Sequence, residues 1–276
     1  MVRRLFVILG LLVWPFAALA DSHDAKVDRM MELLRIDELL VVMQAEGLSH
    51  GDDIAANMFP GRETSPEWLI GLSQLYDTGT MYATIRQDFG AALDGADIDG
   101  MIAFFESETG SAAVAYELSA REALLDDAID EAARAKADEI MAGATPRYQQ
   151  VQRFIQATDL VESNVMGAMN SNYSFYLGLV DAGAMDPSFT QEQILTEVWS
   201  QEEETRTSTD EWLRAFLNLA YTPMTDAELD AYIEFSLTTA GQQLNRALFA
   251  GFDPMFDRIS YGLGLLSGKM AIGSEL

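Results

Sequence analysis

Residues 97–110 read DIDGMIAFFESETG, and residues 228–241 read ELDAYIEFSLTTAG. Four positions are identical at a constant offset of 131: Asp99 and Asp230, Ile102 and Ile233, Phe104 and Phe235, Gly110 and Gly241. Ser107 and Thr238 are a conservative pair. In the first stretch Ile98, Met101, Ile102 and Phe105 fall on one helical face, with Phe104 beside it. Ser107 is placed to stop that helix and cap the next, and Gly110 allows a bend or close approach. The second stretch repeats this with Leu229, Tyr232, Ile233, Thr238 and Gly241. The element is a helix–corner–helix unit occurring twice. Nothing in it is catalytic by residue type.

Upstream, the same offset pairs Met81 with Trp212 and Ile85 with Phe216, and matches Asp94 with Thr225 as N-caps. The rest of the chain also reads as helix. Ser65-Pro66-Glu67 gives a cap, a proline at the first helical position and a first-turn acid. Thr145-Pro146 and Asp253-Pro254 repeat the device. Thr190 with Gln193 and Thr225 with Glu228 fit capping boxes. Residues 111–141, rich in Ala, Glu, Leu and Arg, predict one long helix. Residues 262–266 read as a helix end packed on the core. Strand signals are thin: period-two alternation is scarce and no Asn-Gly or Asp-Gly turn joins apolar runs. The expected fold is all-α, a helical array or bundle of two tandem, pseudo-symmetric repeats, residues 21–144 and 145–276, packed as one unit.

The segment FFESETG, residues 104–110, resembles the Phe-Tyr-x-Ser-Pro-x-Gly signature of a bacterial periplasmic family, domain of unknown function 2059. An acidic opening like that of residues 97–99 precedes the signature there too. Residues 235–241 are a weaker second copy. Glu108 and Thr239 stand where the family favours proline. The resemblance implies a small helical exported protein. It supplies no catalytic residues, because the family has no established activity.

Residues 1–20 have the order of a secretory signal peptide: Arg3 and Arg4, an apolar run over residues 5–19, then Ala18-Leu19-Ala20 as the cleavage site. Sec-type cleavage near Ala20 would place the protein in the periplasm or outside the cell. No later segment reads as a membrane span. Residues 163–180 are uncharged but carry Asn164, Asn170 and Asn172, which fits a buried helix with satisfied amides.

The chain has 44 Asp plus Glu against 17 Lys plus Arg, a formal charge of -27. That argues against nucleic acid and against anionic membrane surfaces as partners. It contains no Cys and only two His, which excludes disulfides, thiol nucleophiles and cysteine metal sites. No hydrolase, zinc-protease or phosphate-loop motif is present. With 44 carboxylates, chance proximity makes any acid–base pair unreadable from sequence.

Two local features remain. After cleavage the chain would begin Asp21-Ser22-His23, and a third-position His can enclose Cu(II) or Ni(II) in a square plane of nitrogens. Tyr173, Phe175 and Tyr176 are candidates for lining a ligand groove. His50, beside Asp52 and Asp53, reads as a polar loop. The expected function is a non-catalytic exported binding or interaction protein of the cell envelope, without a resident cofactor. Its partner would be an envelope protein, a peptide or a lipid. The alternatives are a metal-binding protein using His23 and a carboxylate-based enzyme.

Overall fold

The structure, a computed structural model, describes residues 22–61, 65–186 and 188–273. The signal segment expected over residues 1–20 lies outside them. The described residues form thirteen α-helices and no strand. The first six are α1 Ser22–Leu33, α2 Ile36–Met58, α3 Pro66–Leu75, α4 Thr78–Ala92, α5 Ile98–Phe105 and α6 Glu108–Ala123. After α7 Asp127–Ala142 come α8 Pro146–Ala157, α9 Leu160–Ala182, α10 Gln191–Ser200, α11 Glu202–Tyr221, α12 Asp226–Leu237 and α13 Thr239–Ile272. None of these helices is long and apolar enough to cross a membrane.

Side-chain caps start most of them. Ser65 accepts from the Trp68 amide, Ser107 from Gly110, Thr145 from Tyr148 and Thr238 from Gly241. Thr190 and Thr225 close complete capping boxes with Gln193 and Glu228. Each cap satisfies an amide that has no partner inside its helix.

Five local expectations are corrected. Residues 111–141 are not one helix: α6 ends at Ala123, and Asp126 caps α7 through the Ala128 amide at 2.9 Å. Asp253-Pro254 starts nothing and lies inside α13, where Pro254 denies the Ala250 carbonyl its usual amide partner four residues on. Residues 262–266 are interior to α13, with Leu263 and Gly264 buried. The cap of α5 is Asp97, bonded to the Gly100 amide at 3.0 Å, rather than Asp94. His50 stands within α2, and Gly51 beside it is buried.

Helices α1–α6 and α8–α13 form two series, whose first three members have equal lengths. The first helix of each series, α1 and α8, has 12 residues; α2 and α9 have 23; α3 and α10 have 10. The residues entering α2 and α9, Arg35 and Asp159, are both left-handed, with φ of 52° and 51°. Met81, Ile85 and Phe89 of α4 are buried, as are Leu213, Leu217 and Tyr221 of α11. Burial in this pair of helices therefore runs at an offset of 132, because Trp212 and Phe216 are only partly buried. Packing follows the same pattern: α1 lies on α5 as α8 lies on α12, and α4 lies on α13 as α11 lies on α6.

The main core is continuous across both series. Trp68, Phe89, Phe105 and Tyr221 are among its largest fully buried side chains. Burying each of the Phe residues removes apolar surface worth about 2–3 kcal/mol. The most extensive helix pair is α9 against α13. Their backbones touch at Gly178 and Gly264, where an added Cβ would come within 2.2 Å of the Tyr261 carbonyl oxygen and 2.0 Å of the Phe175 carbonyl oxygen. Both positions therefore need glycine.

Candidate functional site

A cavity of about 600 Å³ opens where α2, α6, α9 and α13 converge, with Phe216 of α11 at its edge. From α2 come Ile36, Leu39 and Met43. From α9 come Leu160, Asn164, Gly167, Ala168, Ser171 and Asn172. These two walls occupy matching positions, because Ile36 and Leu160, and Met43 and Gly167, are each 124 apart. The other two walls match at an offset of 131: Val114 with Asn245, Glu117 with Leu248, Leu118 with Phe249, Arg121 with Phe252. The cavity thus lies between α2 and α6 of the first series and α9 and α13 of the second.

The facing walls differ in chemistry. On α6 the wall carries Glu117 and Arg121, whereas α13 presents Leu248 and Phe252 at those places. Arg121 is already engaged, since its Nε and Nη2 donate to Glu46 at 2.9 and 2.8 Å. Its guanidinium also lies 5.8 Å from the centre of the Trp212 ring. Trp212 in turn stacks on Phe216 at 5.0 Å.

Glu117 accepts a 2.6 Å hydrogen bond from the Tyr221 hydroxyl. Burial pushes its carboxyl pKa up, and hydrogen bonds from Tyr221 and Tyr232 oppose that rise. Both tyrosines are pushed well above their ordinary value, chiefly by burial and then by the charge of Glu117.

Further along α13, Asp253 lines the cavity among Phe249, Phe252 and Phe256. Burial, and then the neighbouring charge of Asp257, raises its pKa to about 6. Asp257 is raised by burial as well, against a long 3.4 Å hydrogen bond donated by Ser171.

The sequence-derived candidates fall elsewhere. Phe175 packs on the main core, and Tyr173 and Tyr176 pack on a smaller cluster of Val165, Met169, Ile194 and Val198. None of the three lines the cavity, although Ser171 and Asn172 just before them do. His23 lies in α1, and its Nε2 donates to the Gly90 carbonyl at 3.0 Å. Among the described residues no cluster of three His, Asp or Glu is arranged to hold a metal.

The residues shared by the two corners make ion-pair and packing contacts. Asp99 accepts from Lys26 of α1 at 2.6 Å, and Asp230 pairs with Arg153 of α8. Ile233 is buried and Ile102 partly so. Phe104 and Phe235 meet each other where the two corners come together. Glu117, Arg121 and Asp253 escaped sequence reading because nothing local distinguishes them from the other charged residues. The available signal was the uncharged, amide-bearing stretch of α9, where Asn164 donates to the Leu160 carbonyl at 2.8 Å and helps form the wall.

No curated protein and no solved structure matches the chain. The segment that holds the first corner and the Glu117 and Arg121 wall is what places the chain beside known sequences: residues 80–150 match domain of unknown function 2059, described as an uncharacterized protein conserved in bacteria.

Proposed function

We propose that this chain is an exported, non-catalytic binding protein of the cell envelope, built by duplication of a six-helix unit, whose ligand occupies the cavity between the units. The observation that carries the reading is the cavity itself. Apolar side chains line it, with a few polar groups set among them, as is typical of small-molecule sites. Its ligand is a small amphipathic molecule of lipid-like character.

The equal lengths of the first three helices of each series, the shared left-handed entries at Arg35 and Asp159, and the matched corners support duplication. Ligand sites commonly form where two packed units meet. Export is supported by Arg3, Arg4, the apolar run after them and Ala18-Leu19-Ala20.

The neutral probe N-phenyl-1-naphthylamine tests the binding reading by fluorescence. Saturable binding near one equivalent is expected, with loss in Ala168→Trp, whose indole would fill the cavity while circular dichroism stays unchanged. Absence of saturable binding to the parent protein would overturn the reading. Fractionation of cells, with N-terminal sequencing of the purified protein, tests export. A start near Asp21 is expected, and an intact Met1 in the cytoplasmic fraction would refute it.

A further inference from the structure

We infer that the cavity selects amphipathic organic cations, an apolar body ending in an ammonium group, with the Asp253 carboxylate receiving the charge. The inference rests on the binding reading above and names its ligand class.

The argument is one of charge complementarity at the wall. Among the described residues, three ionisable side chains line the cavity: Glu117, Arg121 and Asp253. The only cation among them, Arg121, is held by both oxygens of Glu46 and shelved against Trp212. Glu117 is supplied with donors by two tyrosine hydroxyls. Asp253 receives no hydrogen bond and no ion pair from the described residues. The nearby Asp257 adds negative charge rather than compensating it. Arg258 of the same helix donates instead to the Thr84 hydroxyl at 3.1 Å.

Asp253 is half-buried and unpaired at the cavity wall, so a cation bound there gains a partner that no side chain supplies. The aromatic lining favours the same ligand. Phe249, Phe252 and Phe256 line the cavity beside Asp253, and ring faces attract ammonium groups. Leu39, Leu160 and Leu248 offer apolar surface for the rest of the ligand. An anionic amphiphile would instead meet Asp253 and Glu117 as like charges.

The test uses three probes with a ten-carbon chain: decyltrimethylammonium and decanoate below their micelle concentrations, and decanol below its solubility limit. Each competes with N-phenyl-1-naphthylamine on the intact protein at pH 7.5. The cation is expected to bind about ten-fold more tightly than decanol, a difference of about 1.4 kcal/mol, with decanoate weakest. Asp253→Asn should abolish the preference for the cation over decanol. Asp253→Glu should keep the preference, which guards against loss through misfolding. Equal binding of all three, or tightest binding of decanoate, overturns the cation inference while leaving the binding reading intact. Binding of none, including the naphthylamine probe, overturns both.

Discussion

Phe104 and Phe235 stack face to face, with ring centroids 4.0 Å apart and planes 5° from parallel. The two residues are 131 positions apart, the same offset that relates the corners they precede. The contact joins the end of α5 to the end of α12, so the two corners pack directly on each other. Tyr232 lies against the same pair, 5.7 Å from Phe104. Removing either ring alone should cost about 2 kcal/mol. In a double-mutant cycle of Phe104→Ala and Phe235→Ala, urea melts should yield a coupling of about 1 kcal/mol. Simple additivity would show that the stack contributes only as buried area.

The corner glycines should be intolerant to the same degree. An added Cβ at Gly110 would lie 2.2 Å from the Phe104 carbonyl oxygen, and one at Gly241 would lie 2.2 Å from that of Phe235. Backbone has to move in both cases. Gly110→Ala and Gly241→Ala are each expected to destabilise by about 2 kcal/mol or more. Gly79→Ala, which meets only the Asp77 carboxylate at 3.5 Å, serves as the control. It should be neutral or stabilising by up to about 1 kcal/mol, from helix propensity. Equal tolerance at all three sites in chemical denaturation would contradict the corner geometry.

Asp253 links stability to pH. Its folded-state pKa is raised from 3.8 to about 6, so the folded protein holds this proton more tightly than the unfolded chain does. The contribution is fully present below about pH 4 and is lost as pH rises through 6. Asp253→Asn removes a charge that disfavours folding at neutral pH. It should raise Tm by about 1–3 °C at pH 7.5, an increment kept small by the half-exposure of the carboxylate. The gain should disappear at pH 4. A gain independent of pH in thermal melts would rule out ionisation as its cause.

Glu117 should matter more as an acceptor than as a charge. Glu117→Ala would leave the Tyr221 hydroxyl without the 2.6 Å partner it has now. The expected loss is about 2 kcal/mol, the cost of an unsatisfied buried donor. Glu117→Gln keeps a carbonyl oxygen as acceptor and should recover at least half of that. Tyr221→Phe on the Glu117→Ala background should also recover part of it, because the orphaned hydroxyl is gone. Urea melts of the three variants decide between the roles, and identical losses for Ala and Gln would assign the energy to the charge.

Local signals carried far, and their failures have local causes. Ser65, Ser107, Thr145, Thr190, Thr225 and Thr238 all cap helices as their spacing indicated, since a cap bond joins residues two or three apart. Asp253-Pro254 carries the same signature and lies inside a helix. There the packing of α13 on α9 and α4 outweighs local preference. The break after Ala123 is not legible in composition, which favours helix throughout residues 111–141, because Asp126 alone supplies the new cap. The aromatic run after Asn172 packs on hydrophobic clusters, while Ser171 and Asn172 line the cavity.

The amino-acid sequence by itself determined that the chain is helical, where most helices begin, and that the Ser107 and Thr238 corners share one construction. These depend on periodicity and on contacts a few residues long. Only the tertiary structure decided which of 44 carboxylates are special. Glu117 and Asp253 stand 136 positions apart, and their character comes from burial and from partners on other helices. A carboxyl group acquires its charge state and its binding capacity from the atoms folded around it, and no local pattern in the chain encodes those.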